Sequence, residues 1–263
     1  NVGVVGHGHS GKTTLTAGML YATGGTNRLT RVDEGNTITD FDEEEVSRKL
    51  TISTGLAFVE WKKVKINVLD TPGFNIFIND TKSALAAADA ALVMVDGVAG
   101  VEVQTEKVWA FAVEYGIPKA ILVNKLDRER SSFDRSLESI QSTFGRTCVP
   151  LQLPIGSERD FKGVVDLVEM KGLVWTDELG AEYETIEIPE ELRDQAEEYR
   201  TQLIEACADY DDELMEAYLG EEEIPHDRLV ASLHRACLDT KVTPVLCGTS
   251  FKNKGVQPLL DAI

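Results

Sequence analysis

The chain has 263 residues, 43% of them apolar, and a formal net charge of −19. That length can bury a large core, as one domain with an insertion or as two domains. The charge argues against sequence-independent binding of nucleic-acid backbones by most of the surface, and no apolar run reaches the roughly 18 residues that cross a membrane. Cys148, Cys207, Cys237 and Cys247 are scattered, with no CxxC and no paired spacing. This predicts reduced thiols in a cytoplasmic protein, with no metal site or disulfide frame.

The first element is a strand at residues 2–5, the apolar run Val2-Gly3-Val4-Val5. It enters Gly6-His7-Gly8-His9-Ser10-Gly11-Lys12-Thr13, which fits G-x-x-x-x-G-K-[ST], and a helix is predicted over residues 12–21. Strand, glycine-rich loop and helix N-terminus form a phosphate cradle. The backbone around His7, Gly8, His9, Ser10, Gly11, Lys12, Thr13 and Thr14 is predicted to hold phosphates. Lys12 would reach the outer ones and the Thr13 hydroxyl would ligate Mg²⁺. The same pattern without its strand and Lys-Thr would be only a turn.

Between this loop and the next strand lies Asp42-Glu43-Glu44-Glu45, then Arg48-Lys49-Leu50-Thr51-Ile52. Thr51 is the candidate second Mg²⁺ hydroxyl, ordered by the γ-phosphate and released after hydrolysis; position alone supports it. Strands are predicted at residues 56–61 and 65–69, the second ending in Asp70-Thr71-Pro72-Gly73. Asp70 can hold the metal through water, and the Gly73 N–H can meet a γ-phosphate. Alone, D-x-x-G is a weak signal, because strand ends often carry Asp, Pro and Gly; its place downstream of a phosphate loop strengthens it.

A helix at residues 80–88, a strand at 91–96 and a helix at 104–115 follow, then a strand at 120–123 ending in Asn124-Lys125-Leu126-Asp127. A carboxylate at Asp127 can accept from both N1–H and the exocyclic amine of guanine. Adenine offers no such paired donors, and losing that pairing discriminates by about 10⁴-fold or more. Asn124 would bond the purine edge and the Lys125 stem would cover its face. The nucleotide is therefore predicted to be GTP or GDP with Mg²⁺.

After a helix at residues 134–144 the composition shifts. Residues 151–241 hold 25 Asp/Glu against 8 Lys/Arg, a net of −17. Short strands are predicted at residues 164–167 and 172–175. Pro189 opens a long helix with an apolar stripe of Leu192, Ala196, Tyr199, Leu203 and Cys207, and a second helix runs from His226 towards Lys241. The last strand, residues 244–247, precedes Gly248-Thr249-Ser250, whose backbone N–H would bond the guanine oxygen. A helix begins at Val256. The start at Asn1 in a strand and the stop at Ile263 in a helix predict an excised piece of a longer polypeptide.

The βαβ rhythm predicts an α/β fold with a doubly wound, mostly parallel sheet and the ligand outside the carboxyl ends of its strands. This is a P-loop GTPase domain: a core of residues 1–148 and 242–263, and an acidic α+β insertion subdomain at 149–241.

The set GHGHSGKTT, RKLTI, DTPGF, NKLDR and CGTSFKNKGVQ resembles the GTP-binding domain of translation elongation factor G, and the resemblance spans Asn1 to Ile263, insertion included. It implies a GTPase that drives ribosomal translocation or recycling, with further domains downstream. It also implies that the insertion faces the ribosomal stalk protein. Lys12, Thr51 and Gly73 become the candidate catalytic groups. Four positions depart from the family pattern. Phe74 stands where the family has a histidine that positions the attacking water, and phenylalanine offers no conventional hydrogen bond. Gly8 and His9 replace an apolar gate residue and an aspartate, and Lys49 replaces a glycine. Three readings follow: a ribosome-dependent GTPase, a related paralogue that binds GTP as a switch with little hydrolysis, and an ATP-dependent P-loop enzyme, which NKLD argues against. One further possibility is that His9 partly replaces the missing histidine from the loop side.

Overall fold

The computed structural model describes residues 1–220, 222 and 224–263. In chain order the strands and helices are β1 (Val2–Gly6), α1 (Lys12–Ala22), α2 (Glu43–Arg48), β2 (Gly55–Trp61), β3 (Val64–Asp70), α3 (Ile78–Ala86) and β4 (Ala90–Asp96). Next come α4 (Val103–Glu114), β5 (Lys119–Asn124), α5 (Phe133–Phe144), β6 (Cys148–Pro150), β7 (Gln152–Ile155), β8 (Gly163–Asp166), β9 (Lys171–Trp175) and β10 (Tyr183–Ile186). The chain closes with α6 (Glu190–Ala208), α7 (Asp212–Leu219), α8 (His226–Leu238), β11 (Thr243–Cys247) and α9 (Val256–Ala262).

The larger sheet has seven strands in the order β2-β3-β1-β4-β5-β11-β6. Among the described residues, β2 alone is antiparallel to its neighbour; the other five pairings are parallel. The central strands are covered on both faces, so β1 and β11 are buried at every residue, as their continuous apolar runs require. Strand order reverses beside β1, between β3 and β4, which opens a crevice at the carboxyl ends.

The second sheet, β10-β9-β8-β7, is antiparallel throughout. Chain passes into it directly from β6, because the Leu151 amide still donates to the Val245 carbonyl at 2.8 Å. Its apolar side is continuous with the main core. One cluster runs from Val93, Val123 and Ile140 through Leu153, Val164 and Trp175 to Leu203 on α6 and Leu229 on α8. The other face of the large sheet packs separately, with Leu15 and Met19 of α1 and Leu259 of α9 against Val4, Val59, Val68 and Leu246.

Five elements carry no pattern that sequence reading picks out: α2, α7, β6, β7 and β10. Helix α2 is held by its ends and not by an apolar stripe. Asp42 accepts from the Glu44 amide at 2.8 Å, and Glu45 reaches back to the Asp42 amide at 3.3 Å. Strand β10 is exposed at all four residues and is defined by its ladder to β9 alone.

Candidate functional site

The loop between β1 and α1 forms because two glycines take backbone conformations that a side chain would block. Gly6 has φ 145° and a Cβ there would lie 2.5 Å from the Met94 carbonyl oxygen; Gly11 has φ 97° and a Cβ would lie 2.4 Å from the Asn124 amide nitrogen. His9 holds φ 63° without being glycine and is exposed. Lys12 is buried and folds back over the loop, donating to the Gly6 and His7 carbonyls at 3.3 and 2.9 Å. Burial pushes its ammonium down to about 8, against the pull of Asp70 and Asp40. An anion in the cradle would push it back up by giving the charged form a partner.

Thr13 and Thr51, 38 residues apart, meet with their hydroxyl oxygens 3.0 Å from each other. Asp70 lies fully buried at the end of β3, and burial pushes its carboxyl up to about 6. One carboxylate oxygen accepts from the Thr39 hydroxyl at 2.7 Å; the other has no partner. A buried carboxylate oxygen without a donor is costly unless a cation or water completes it. Two hydroxyls and this carboxylate are oxygen ligands of the kind that suit Mg²⁺. Thr13, Thr51 and Asp70 are thus brought together at one end of the loop. Asp40 joins them, without any motif to announce it: it is buried, its pKa is raised by burial, and one of its oxygens is unpartnered.

Gly73 abuts the loop so closely that a Cβ would lie 2.4 Å from Lys12 Nζ and 2.7 Å from the Gly8 nitrogen. The turn is stitched to β1 by the Thr71 hydroxyl, which donates to the Val4 carbonyl at 2.7 Å, and to α3 by the Thr81 hydroxyl on the Pro72 carbonyl at 2.8 Å. The Phe74 ring lies over Gly8, with three ring atoms 3.0–3.2 Å from where a Gly8 Cβ would sit. His9 meets it edge-on at a centroid distance of 5.2 Å. His9 therefore faces an aromatic ring on the side of the loop that Gly73 abuts.

At the other end, Asp127 accepts from the Thr249 hydroxyl at 2.6 Å, which orients its carboxylate, while Lys125 Nζ is tethered to Asp96 at 2.7 Å. Asn124 lies between the two loops of the expected base pocket: one N–H of its side-chain amide donates to the Ser10 carbonyl at 2.8 Å, which leaves the second N–H for a purine edge, and its oxygen accepts from the Ser250 amide at 2.8 Å and hydroxyl at 3.0 Å. In the base loop the Ser250 amide donates to Asn124 and the Thr249 amide to the Lys254 carbonyl at 2.9 Å. The contacts of Asn124 have one cause. The 1%-exposed Asn124 must satisfy its own amide, and the nearest polar groups belong to the two nucleotide loops. It ties the phosphate cradle to the base loop.

The two ends open into adjoining clefts. One is lined by Gly8, Lys12, Thr51, Phe74, Asn124 and Phe251, the other by Asp96, Asp127 and Arg159, and Lys125 and Arg128 border both. Among the described residues, no helix is long and apolar enough to cross a membrane.

The segment after Ser250 explains the FKNKGVQ stretch. Asn253, fully buried with φ 55°, donates to the Leu179 and Gly180 carbonyls at 3.1 and 3.2 Å, and Gln257 donates to Gly180 at 2.8 Å. These side chains anchor the β9–β10 connection of the acidic segment beside the base loop.

The family model for the elongation factor Tu GTP-binding domain matches residues 1–263. Among solved structures, the chain is similar to the crystal structure of ttk003000868 from Thermus thermophilus, with 36% identity and a TM-score of 0.93. All of this chain is covered, and it spans 39% of the length of that protein.

Proposed function

Since this chain belongs to the elongation factor Tu GTP-binding domain family, we propose that it binds GTP and GDP and hydrolyses GTP as the nucleotide domain of a cytoplasmic translation factor of elongation factor G type, acting on the ribosome in translocation. The observation that carries the nucleotide reading is the Asp127 carboxylate, held by Thr249 at 2.6 Å in a loop that Asn124 bolts to the phosphate cradle. Its second oxygen, together with the first, accepts the paired donors of guanine, whereas adenine would leave it unsatisfied.

In this reading the amides of His7, Gly8, His9, Ser10, Gly11, Lys12, Thr13 and Thr14 cradle the phosphates, and Lys12 leaves the loop carbonyls to pair with the outer ones. Thr13, Thr51 and Asp70 hold Mg²⁺, with Asp40 beside them. The metal, when bound, neutralises charge on the phosphate oxygens. The Gly73 amide senses the γ-phosphate, and the Lys125 stem covers the base. The acidic subdomain, residues 149–241, offers a surface of net negative charge to the ribosomal stalk protein.

A specific observation favours a second reading, a paralogue that binds GTP as a switch with slow hydrolysis. The Phe74 ring fills the space above Gly8 and offers no hydrogen bond to an attacking water. Positioning and electrostatics from Lys12, the metal and Gly73 would then support only slow turnover.

GTP binding and hydrolysis by the full-length protein, with and without ribosomes, tests both. Turnover stimulated by ribosomes supports the translocation factor. Tight GTP binding without stimulation supports the switch, and preference for ATP sinks both.

A further inference from the structure

The chain between α1 and α2 lines the nucleotide cleft with Val32 and Asp33, and Arg31 beside them ties it to Phe251. The Arg31 guanidinium donates to the Phe251 carbonyl at 2.7 Å and lies 4.1 Å above the centre of the Phe251 ring. Both partners sit at the cleft: Phe251 lines it directly after the base loop, and Val32 and Asp33, next to Arg31, line it too. The turn that presents Arg31 is itself closed, since its amide donates to Asn36 Oδ1 at 2.7 Å and the Asn36 amide donates to Glu34 at 2.7 Å.

No motif explains this pair. Phe251 is 46% exposed, which is expensive for a phenylalanine unless the ring meets something. Arginine stacked on an aromatic face, with a charge-assisted hydrogen bond from the same group, is a strong surface contact for its size. It joins the segment leading to Thr39, Asp40 and Thr51 directly to the loop that orients Asp127.

We propose that Arg31 and Phe251 form a clasp over the guanine nucleotide and act as positioning residues that set its release rate. A nucleotide whose base lies against Lys125 and Asp127 and whose phosphates lie in the cradle is enclosed under residues 31–33. It leaves only when the clasp opens. The contact is made between two parts of the protein and not to the nucleotide, and it is closed with the cleft empty, so it gates entry as well as escape and opening it speeds both. The clasp presupposes the guanine-nucleotide site described above.

Stopped-flow measurement of mant-GDP association and dissociation on the protein tests it. Arg31→Ala is expected to raise the dissociation rate about ten-fold and to raise association as well, so that affinity changes less than either rate. Phe251→Ala, which keeps the backbone carbonyl, is expected to give a smaller increase. Arg31→Lys keeps a cation over the ring without the planar donors and should fall between wild type and Arg31→Ala. The double variant should be no faster than Arg31→Ala alone. Dissociation within about two-fold of wild type in Arg31→Ala, loss confined to association, or effects that multiply in the double variant would each overturn the clasp. Failure of the wild-type protein to bind mant-GDP would instead overturn the nucleotide reading on which it rests.

Discussion

Replacing Gly8 with valine puts the contact between the loop and Phe74 to a quantitative test. Gly8 is not among the left-handed glycines, so a side chain meets no backbone penalty there. It meets the Phe74 ring, with Cβ at 3.0, 3.1 and 3.2 Å from three ring carbons. Alanine asks the ring to shift by a few tenths of an ångström. That cost roughly cancels the about 0.4–1 kcal/mol gained by stiffening the unfolded chain. The two further methyls of valine have nowhere to go while the ring stays. Overpacking of this kind costs about 1–3 kcal/mol. In a Phe74→Ala background the space is vacant, and Gly8→Val should be neutral or mildly stabilising. The expected coupling is therefore about 2 kcal/mol, read from urea unfolding of wild type, both single variants and the double variant at constant m-value. At roughly 2–4 °C per kcal/mol for a chain near this size, Gly8→Val alone should lower Tm by about 4–8 °C. Additivity to within about 0.5 kcal/mol would show that the ring does not occupy this space, and the account of Phe74 as a plug would fail.

Other substitutions address the remaining contacts. Asp127→Asn removes the acceptor pair and should weaken GDP binding by about 10³-fold or more while improving binding of xanthosine diphosphate, measured by competition against mant-GDP; unchanged preference would remove Asp127 from the base site. Gly180→Ala places a Cβ 2.5 Å from the Asn253 and Lys252 carbonyl oxygens at φ 63°. It should cost about 2–4 kcal/mol in denaturant unfolding, and a cost below about 0.5 kcal/mol would mean the junction relaxes freely. Burial pushes the Cys148, Cys207 and Cys237 thiols up to about 12 and Cys247 higher still. Thiolate at pH 8 is then about a thousand-fold scarcer than for a free cysteine. Aromatic disulfide reagents should label the native protein slowly and the urea-unfolded protein at once; fast native labelling would refute the burial argument.

Much of the site is legible in the chain because the loops that carry it are constrained by backbone chemistry. Gly6, Gly11 and Gly73 stand where no Cβ fits, and Lys12, Thr13, Asp70 and Asp127 follow strands that periodicity reveals. Order along the chain is all that singles out Thr51, and the 3.0 Å contact with Thr13 gives it a partner. Asp40, Thr39 and Arg31 are invisible in the sequence, because each acts through a contact distant along the chain and none belongs to a spacing pattern; Phe251 stands in the FKNKGVQ stretch, but its partner does not show there. Asn124 is recognisable as a site residue, but its partner is not: hydrogen-bond satisfaction of a buried amide depends on which loops surround it, and only the fold decides that. The long helices α4, α5, α6 and α8 follow their apolar spacing. The short α2, held by a capping box, and β10, held by its ladder alone, leave no such trace.

Strand β11 lies between β5 and β6, yet residues 243–247 follow every other strand of both sheets along the chain. A nascent chain that has released everything up to residue 242 thus lacks the sixth of the seven strands of its larger sheet, with the facing edges of β5 and β6 unpaired. The cradle around Lys12 emerges long before Thr249, Ser250 and Asn253 do. The Thr249 contact that orients Asp127 therefore forms late in vectorial synthesis, together with closure of the sheet. Arrest before residue 243 leaves two open edges ready to pair with other chains. Residues 243–263 act as the keystone that closes the sheet and joins the loop of Asp127 to the loop before α1 through Asn124.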